Sequence, residues 1–258
     1  MARSAVSGAY ALPAEVVACE ATGDLLLPTE AGVCARTGAL LRADLLAVSD
    51  LSGLRVRASL LARCPDTGAR ALPDELARCE ASGARVAPSA LVTCSATGRR
   101  VRRSLTVDCP ACGEPLLRSE AVDDDQGALG HVGHLERCAW TGARRFAHEL
   151  TRCAATGVPL LREQVGSSGL GRAHEALLEA LARRSPPDGD ALPLVANALR
   201  LRGVAPRRVW VRRNPDGRLL AVVAEERALL GLRRFRTLAY VDAASGRAVG
   251  SVAERWRG

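Results

Sequence analysis

The sequence predicts a mostly β chain: a tandem array of short β-hairpin repeats followed by a small α+β C-terminal domain. Three observations predict it. A pentapeptide Cys/Ser-x-x-Thr/Ser-Gly recurs at a spacing of 15 residues, apolar residues sit at fixed offsets from its glycine, and the pattern stops after Val165 in favour of helix and hairpin signals. Self-similarity of this kind outranks other signals in assigning a fold. It divides the chain into an array over residues 4–167, irregular near 123–137, and a capping or accessory domain over 168–258.

The units are Ser4–Gly8, Cys19–Gly23, Cys34–Gly38, Ser49–Gly53, Cys64–Gly68, Cys79–Gly83, Cys94–Gly98 and Cys109–Gly113, then, after an interruption, Cys138–Gly142 and Cys153–Gly157. The glycine suits a positive φ at the end of a tight turn, and the Thr or Ser before it can bond to backbone there. Leu26, Leu41, Leu72, Val86, Val101, Leu116 and Leu160 follow the glycines at three or four residues. Val16, Leu46, Leu61, Leu76, Leu91 and Leu150 precede the next unit. Pro13, Pro28, Pro73 and Pro88 end the strand after the glycine, because proline donates nothing to a sheet ladder. Each unit is expected to be a short strand, a turn, a second strand and a bend or single helical turn. A helical repeat is the competing reading, opposed by Gly and Pro at fixed offsets within units.

Composition limits the function classes. The net charge is +8, yet all 36 basic residues are arginines, which points to coding bias as much as to a polyanionic partner. Residues 1–100 hold 11 Arg against 10 Asp or Glu, and seven Arg with one opposing acid (Asp216) fall in 200–218. Aromatic residues are scarce, so the units need each other, or metal, to stay ordered. Nine cysteines, an odd number, fit a disulfide framework poorly. No run of 18 apolar residues predicts a membrane span, and the first residues lack the apolar stretch of a secretory signal. A cytoplasmic protein is expected.

The turn Cys109-Pro-Ala-Cys112-Gly113 resembles the zinc knuckle of zinc-ribbon, treble-clef and LIM-type modules, and the remaining units look like knuckles whose second cysteine has become Thr or Ser. A looser similarity exists to Cys-x-x-Thr/Ser-Gly arrays inside large bacterial proteins, sometimes beside helicase-type domains, although no helicase motif occurs here. Zinc takes four ligands, and His131, His134 and Cys138 follow within reach. The set expected is Cys109, Cys112, His134 and Cys138, with His131 as an alternative to His134, and the polar insert 123–130 looping around one structural Zn2+. The other reading makes Cys109 and Cys112 a vestigial pair and the histidines surface residues. The single cysteines Cys19, Cys34, Cys64, Cys79, Cys94 and Cys153 read as small buried hydrophobes.

Beyond the glycine-rich joint 166–171, helices are expected over 172–184 and 191–201. A hairpin should join Val209–Val211 to Leu219–Val223, with a helical turn over 225–230 stopped by Gly231. A second hairpin should join Thr237–Val241 to Arg247–Val252. Arg200, Arg202, Arg207, Arg208, Arg212, Arg213 and Arg218 can form a positive face; Arg207, Arg208, Arg212 and Arg213 are the candidate nucleic-acid contacts. Trp210 is expected to rest on the first helix rather than on a base. No catalytic motif occurs, there being no nucleophile elbow, metalloprotease helix or dinucleotide loop, and Cys109-x-x-Cys112 as a redox pair would require a lowered thiol pKa. The leading expectation is a non-enzymatic scaffold for a protein partner; the second is a nucleic-acid-binding accessory protein.

Overall fold

The structure, a computed structural model, describes residues 1–200, 204, 206–228 and 233–256. Two-stranded antiparallel hairpins follow one another from Ala2–Arg3 paired with Tyr10–Ala11 to Leu150–Arg152 paired with Pro159–Leu161, and a four-stranded sheet with two α-helices follows them. This is the mostly β array and α+β C-terminal part that the repeat predicts. The chain forms two compact units, Met1–Asp108 with Glu114–Glu120, and Cys109–Gly113 with Ala121–Gly258.

A unit from the first shows how the residues dictate the shape. Ala31–Val33 forms the first strand, Cys34–Gly38 the turn, Leu40–Arg42 the second strand and Ala43–Leu45 a 3-10 turn. Gly38 has φ +75° and its N–H donates to the Cys34 carbonyl at 2.8 Å. That left-handed backbone is strained for any residue with a Cβ. The same positive φ recurs at the equivalent glycine of every unit from Gly8 to Gly157, so the helical alternative does not hold. Pro13, Pro28 and Pro88 open 3-10 turns, where a missing N–H costs nothing.

Two bonds stack one hairpin on the next. The residue after the Cys or Ser donates its N–H to the second strand of the following unit: Ala5 to Leu25, Ala35 to Arg55 and Ala139 to Pro159, each at 2.9 Å. The thiol then accepts an N–H two residues further along that strand, from Arg57 to Cys34 (3.3 Å), Ala87 to Cys64 (3.2 Å) and Leu117 to Cys94 (3.3 Å). The single cysteines are thus buried, as expected, and also serve as acceptors for backbone that would otherwise be unsatisfied. The hydroxyl three residues on takes the place of a second thiol. Thr22 beside Cys19 and Thr37 beside Cys34 draw each thiol down to about 7, against the opposing effect of burial. Between the hairpins lie Leu26, Leu41, Val56, Val86, Val101 and Leu116, all buried; each contributes about 1.5–3 kcal/mol by leaving water.

Where serine replaces cysteine, the acceptor changes too. Ser4 donates its hydroxyl to Glu30 and Ser49 to Glu75, and the two carboxylates accept the strand N–H groups of Leu27 and Leu72 at 2.9 Å. A carboxylate from the following unit does there what the thiol does elsewhere.

The second unit overturns one expectation. Residues 123–130 are no interruption: Val122–Asp123 pairs with Leu129–Gly130 around Gly127 at φ +85°. This is a repeat with a turn one residue shorter, in which Asp124 stands in the cysteine position, 2 % exposed, and accepts the N–H groups of Gln126 and Ala128.

After the last hairpin, α1 (Arg172–Ala182) and α2 (Leu192–Arg200) lie on opposite faces of the sheet Arg208–Arg213, Leu219–Ala228, Arg233–Asp242, Ala248–Trp256. Leu219, Ala221 and Val223 face α1 and the last hairpins, while Leu220, Val222 and Ala224 face α2, which explains an unbroken apolar run. The expected helical turn over 225–230 is wrong over its described part, since the strand continues to Ala228; Gly231 and Arg202 lie outside the described residues. Pairing of Glu225 with Arg236 and Glu226 with Phe235 extends the ladder past the point where polar residues suggested its end. Trp210 rests against the α1 face, its Nε1–H donating to the Ser185 carbonyl at 3.1 Å.

Glu30 offers a test of the serine junction. The Ser4 and Ser7 hydroxyls hold its carboxyl at about 2, below the ordinary 4.5. A depressed carboxyl pKa stabilises the fold above the unfolded value and loses that contribution as pH falls through the folded one. Protection factors of the amides in residues 4–30, taken against the intrinsic exchange rate at each pH, are therefore expected to fall between pH 4.5 and 2, and Glu30→Gln should remove that fall while leaving residues 79–105 unchanged.

Candidate metal centre

The stacking rule brings four positions of neighbouring units together: the cysteine, the residue three further on, and two positions in the strand end and 3-10 turn of the next hairpin. At the Cys64 junction the last two are Ala87 and Ala90, both buried as an apolar lid. At the Cys109 junction they are His131 and His134. The Cys109–Gly113 turn (Gly113 φ +74°, N–H to the Cys109 carbonyl at 2.8 Å) places Cys109 inward and Cys112 outward. His131 precedes, and His134 ends, the 3-10 turn Val132–His134.

The four ligand atoms lie within 4.8 Å of one another. Cys109 Sγ is 3.3 Å from His134 Nδ1, and Cys112 Sγ is 3.5 Å from His131 Nδ1. With Zn–S near 2.3 Å and Zn–N near 2.0 Å, the edges of a zinc tetrahedron are about 3.3–3.8 Å. The donor set, two thiols and two imidazoles, can hold a metal ion. Burial pushes the Cys109 thiol up, but hydrogen bonds from His134 and from the backbone of His131 and Ala111 outweigh it and bring it to about 5, favouring the thiolate that ligates metal.

The geometry joins His131 and His134, which the sequence offered as alternatives, and sets Cys138 apart. Cys138 is buried in the core with Trp140, Cys153 and Leu160 and accepts the Leu161 N–H at 3.4 Å, as its repeat position dictates. Distance along the chain made Cys138 plausible; the 15-residue register excludes it, because it opens the next unit but one. Gly130 completes the site. A Cβ there would lie 2.5 Å from the Phe146 ring and 3.0 Å from Cys109 Sγ, so Phe146 fills a space that Leu or Val occupies in other units.

Three further features escaped the sequence reading. Asp124, in the cysteine position, faces Arg145 at 3.8 Å, and Arg145 also faces Glu149 at 3.9 Å; an ion-pair network fills that junction. At the last unit the Val165–Gly171 bridge and the start of α1 follow in place of a regular hairpin, and Ala154 donates its N–H to the Gly169 carbonyl at 2.9 Å. His174, fully buried, joins Cys153, whose thiol burial raises but His174 and Thr156 bring down to about 6. The signal available for both was the repeat register extended through non-cysteine residues. The third is Pro110, which like Pro65 has no N–H at the position that donates to the next hairpin.

The candidate nucleic-acid residues are exposed but divided. Arg207 precedes the edge strand; Arg208 and Arg212 alternate with Trp210 on one face, and Arg213 lies with Val209 and Val211 on the other.

Metal analysis after loading with zinc and gel filtration is expected to give one ion per chain, retained in Cys138→Ser and lost in His131→Ala. Retention in His131→Ala with loss in Cys138→Ser would restore the other ligand set. Comparison with protein-family models, with curated proteins and with solved structures gives no match.

Proposed function

We propose that this chain is a non-enzymatic repeat scaffold for protein–protein interaction, held at one junction by a structural Zn2+ on Cys109, Cys112, His131 and His134. The observation that carries the reading is that cluster and its place in the register. At this junction Pro110 cannot donate the N–H that joins most hairpins to the next, and His131 and His134 stand where the Cys64 junction, whose cysteine is also followed by a proline, has the apolar Ala87 and Ala90. Zinc supplies a cross-link among four side chains. The protein's own groups do the rest: Cys109 accepts the His131 N–H (3.5 Å), Gly113 lets the turn close, and the Phe146 ring fills the space at Gly130 beside the inner thiol. Four protein donors leave no open position for a reactive water, which is the basis of the structural assignment. The knuckle resemblance belongs to the same reading, with the Thr and Ser units as hairpins in which hydrogen bonds have replaced metal.

Ligating thiolates require reduced cysteines, and we place the protein in the cytoplasm on that ground. Among the described residues no helix is long and apolar enough to cross a membrane. The second reading, phosphate-backbone binding through Arg207, Arg208, Arg212 and Arg213, keeps exposed arginines but not the common face it assumed.

Chelation of the zinc-loaded protein is expected to lower the thermal midpoint, and Cys112→Ser should start from the lowered value and be insensitive to chelator. Retention on heparin and on duplex DNA should fall away by moderate salt and should not change in Arg207→Ala/Arg208→Ala/Arg212→Ala/Arg213→Ala. A steep salt slope that this variant flattens would favour the second reading.

A further inference from the structure

Each hairpin in residues 1–108 carries one outward pair at the foot of its turn, the residue before the Cys or Ser and the residue directly opposite it. These pairs share a register from unit to unit. Their second members are also those whose carbonyls accept the stacking bond: Leu25, Leu40, Arg55, Arg70 and Arg100. The interaction that joins the hairpins therefore also sets the pairs side by side as a ladder.

The ladder has two chemistries, divided along its length. In the first units it shows Tyr10 (65 % exposed), with Arg3 opposite it and laid over its ring, then Leu25 (41 %), Val33 (56 %) and Val48 (53 %). Isolated exposed apolar residues are ordinary, but a register-matched series of them is not. From the fourth unit onward it is arginine: Arg55 opposite Val48, Arg63 opposite Arg70, Arg78 opposite Arg85, and Arg100 opposite Thr93. Like charges directly opposite each other destabilise a strand pair, and two successive hairpins accept that. None of these six arginines makes an ion pair among the described residues. Asp50, the acid nearest in register to Arg70, is turned to its backbone N–H at 2.7 Å instead. Net charge over residues 1–100 hides the row, because the balancing acids sit elsewhere on the units.

We propose that this ladder is a docking surface for a polypeptide segment in which an apolar stretch is joined to an acidic run, the apolar side chains lying on Tyr10, Leu25, Val33 and Val48 and the carboxylates on the arginine rungs. The inference rests on the scaffold reading and names its surface and the chemistry of its partner. A nucleic acid matches only half of the ladder, since phosphate recurs at every step of its backbone. A membrane surface offers apolar and anionic groups together at every point of its plane, whereas here they are separated lengthwise. A polypeptide can carry that separation in its sequence.

The test uses the full chain and a synthetic peptide with a Leu/Val block followed by an oligoglutamate block. Its two halves, a Leu/Val–oligolysine peptide, duplex DNA and phosphatidylserine vesicles serve as competitors, with fluorescence anisotropy as the readout. The two-block peptide is expected to bind more tightly than either half, and Arg63→Glu/Arg78→Glu and Val33→Asp/Val48→Asp each to weaken it about tenfold. Neither variant should alter the zinc content. Arg63→Glu and Arg78→Glu each place a carboxylate opposite an arginine, so the first variant keeps its fold. No binding, equal binding of a half-peptide, or tighter binding of DNA or vesicles that Arg63→Glu/Arg78→Glu abolishes would each overturn the proposal. Cross-linking in cell extract separates it from the reading beneath it. Protein cross-links that survive Arg63→Glu/Arg78→Glu leave a scaffold without this ladder, and a wild-type chain that cross-links to no protein removes the scaffold.

Discussion

The structure depends on a backbone reversal that only glycine makes cheaply. With Gly38 at φ +75°, the Cys34–Gly38 turn closes on its own carbonyl and leaves the N–H of the residue after the cysteine pointing away from its hairpin. That N–H finds the second strand of the next unit, and the thiol finds the N–H two residues beyond. Two or three residues per strand could not hold a hairpin alone in water. The array is stable because each hairpin supplies the partners its predecessor lacks, a property of stacked repeats generally.

Seen this way, the junction is a single cage with interchangeable contents. A thiol under an apolar lid fills it at Cys64, a serine with a glutamate at Ser49, an ion-pair network at Asp124, and a thiol with a buried imidazole at Cys153. At Cys109 it holds two thiols and two imidazoles. The Cys64 and Cys109 thiols and the glutamate beside Ser49 accept the equivalent N–H of the next hairpin, from Ala87, His131 and Leu72, whereas Asp124 accepts from its own turn. A thiol–imidazole cluster and a serine–glutamate pair are alternatives here because each accepts that N–H.

Much of this was legible in the sequence. The period, the glycine turn and the buried leucines all follow from residues that recur, and recurrence is what one sequence can reveal. The errors fell where the repeat continues without its signature. Asp124-Asp-Gln-Gly127 keeps the register but loses both the cysteine and one residue of the turn, so it read as an insertion, and with the register displaced Cys138 looked nearer to the knuckle than it is. His131 and His134 stood out as ligand types, but only the 3-10 turn that separates them shows that both can reach one point. The strand through Glu225 and Glu226 was hidden by local polarity, which the pairing with Arg236 and Phe235 overrides. The rungs of arginine were invisible in a charge count and became visible only once cross-strand register was known.

Amide hydrogen exchange resolved by residue is the most direct measure of the stacking on which the account rests. The N–H groups of Ala35, Asp50, Glu80 and Ser95, together with those of Arg57, Ala87, Arg102 and Leu117, are expected to exchange slowly, with protection of about a hundredfold or more (~2.7 kcal/mol of opening free energy). Each of the first group donates to the next hairpin and each of the second to a buried thiol. Exchange at these amides as fast as in an unfolded peptide, or unbroken protection running through Gly38, Gly83 and Gly98 as in a continuous helix, would contradict it.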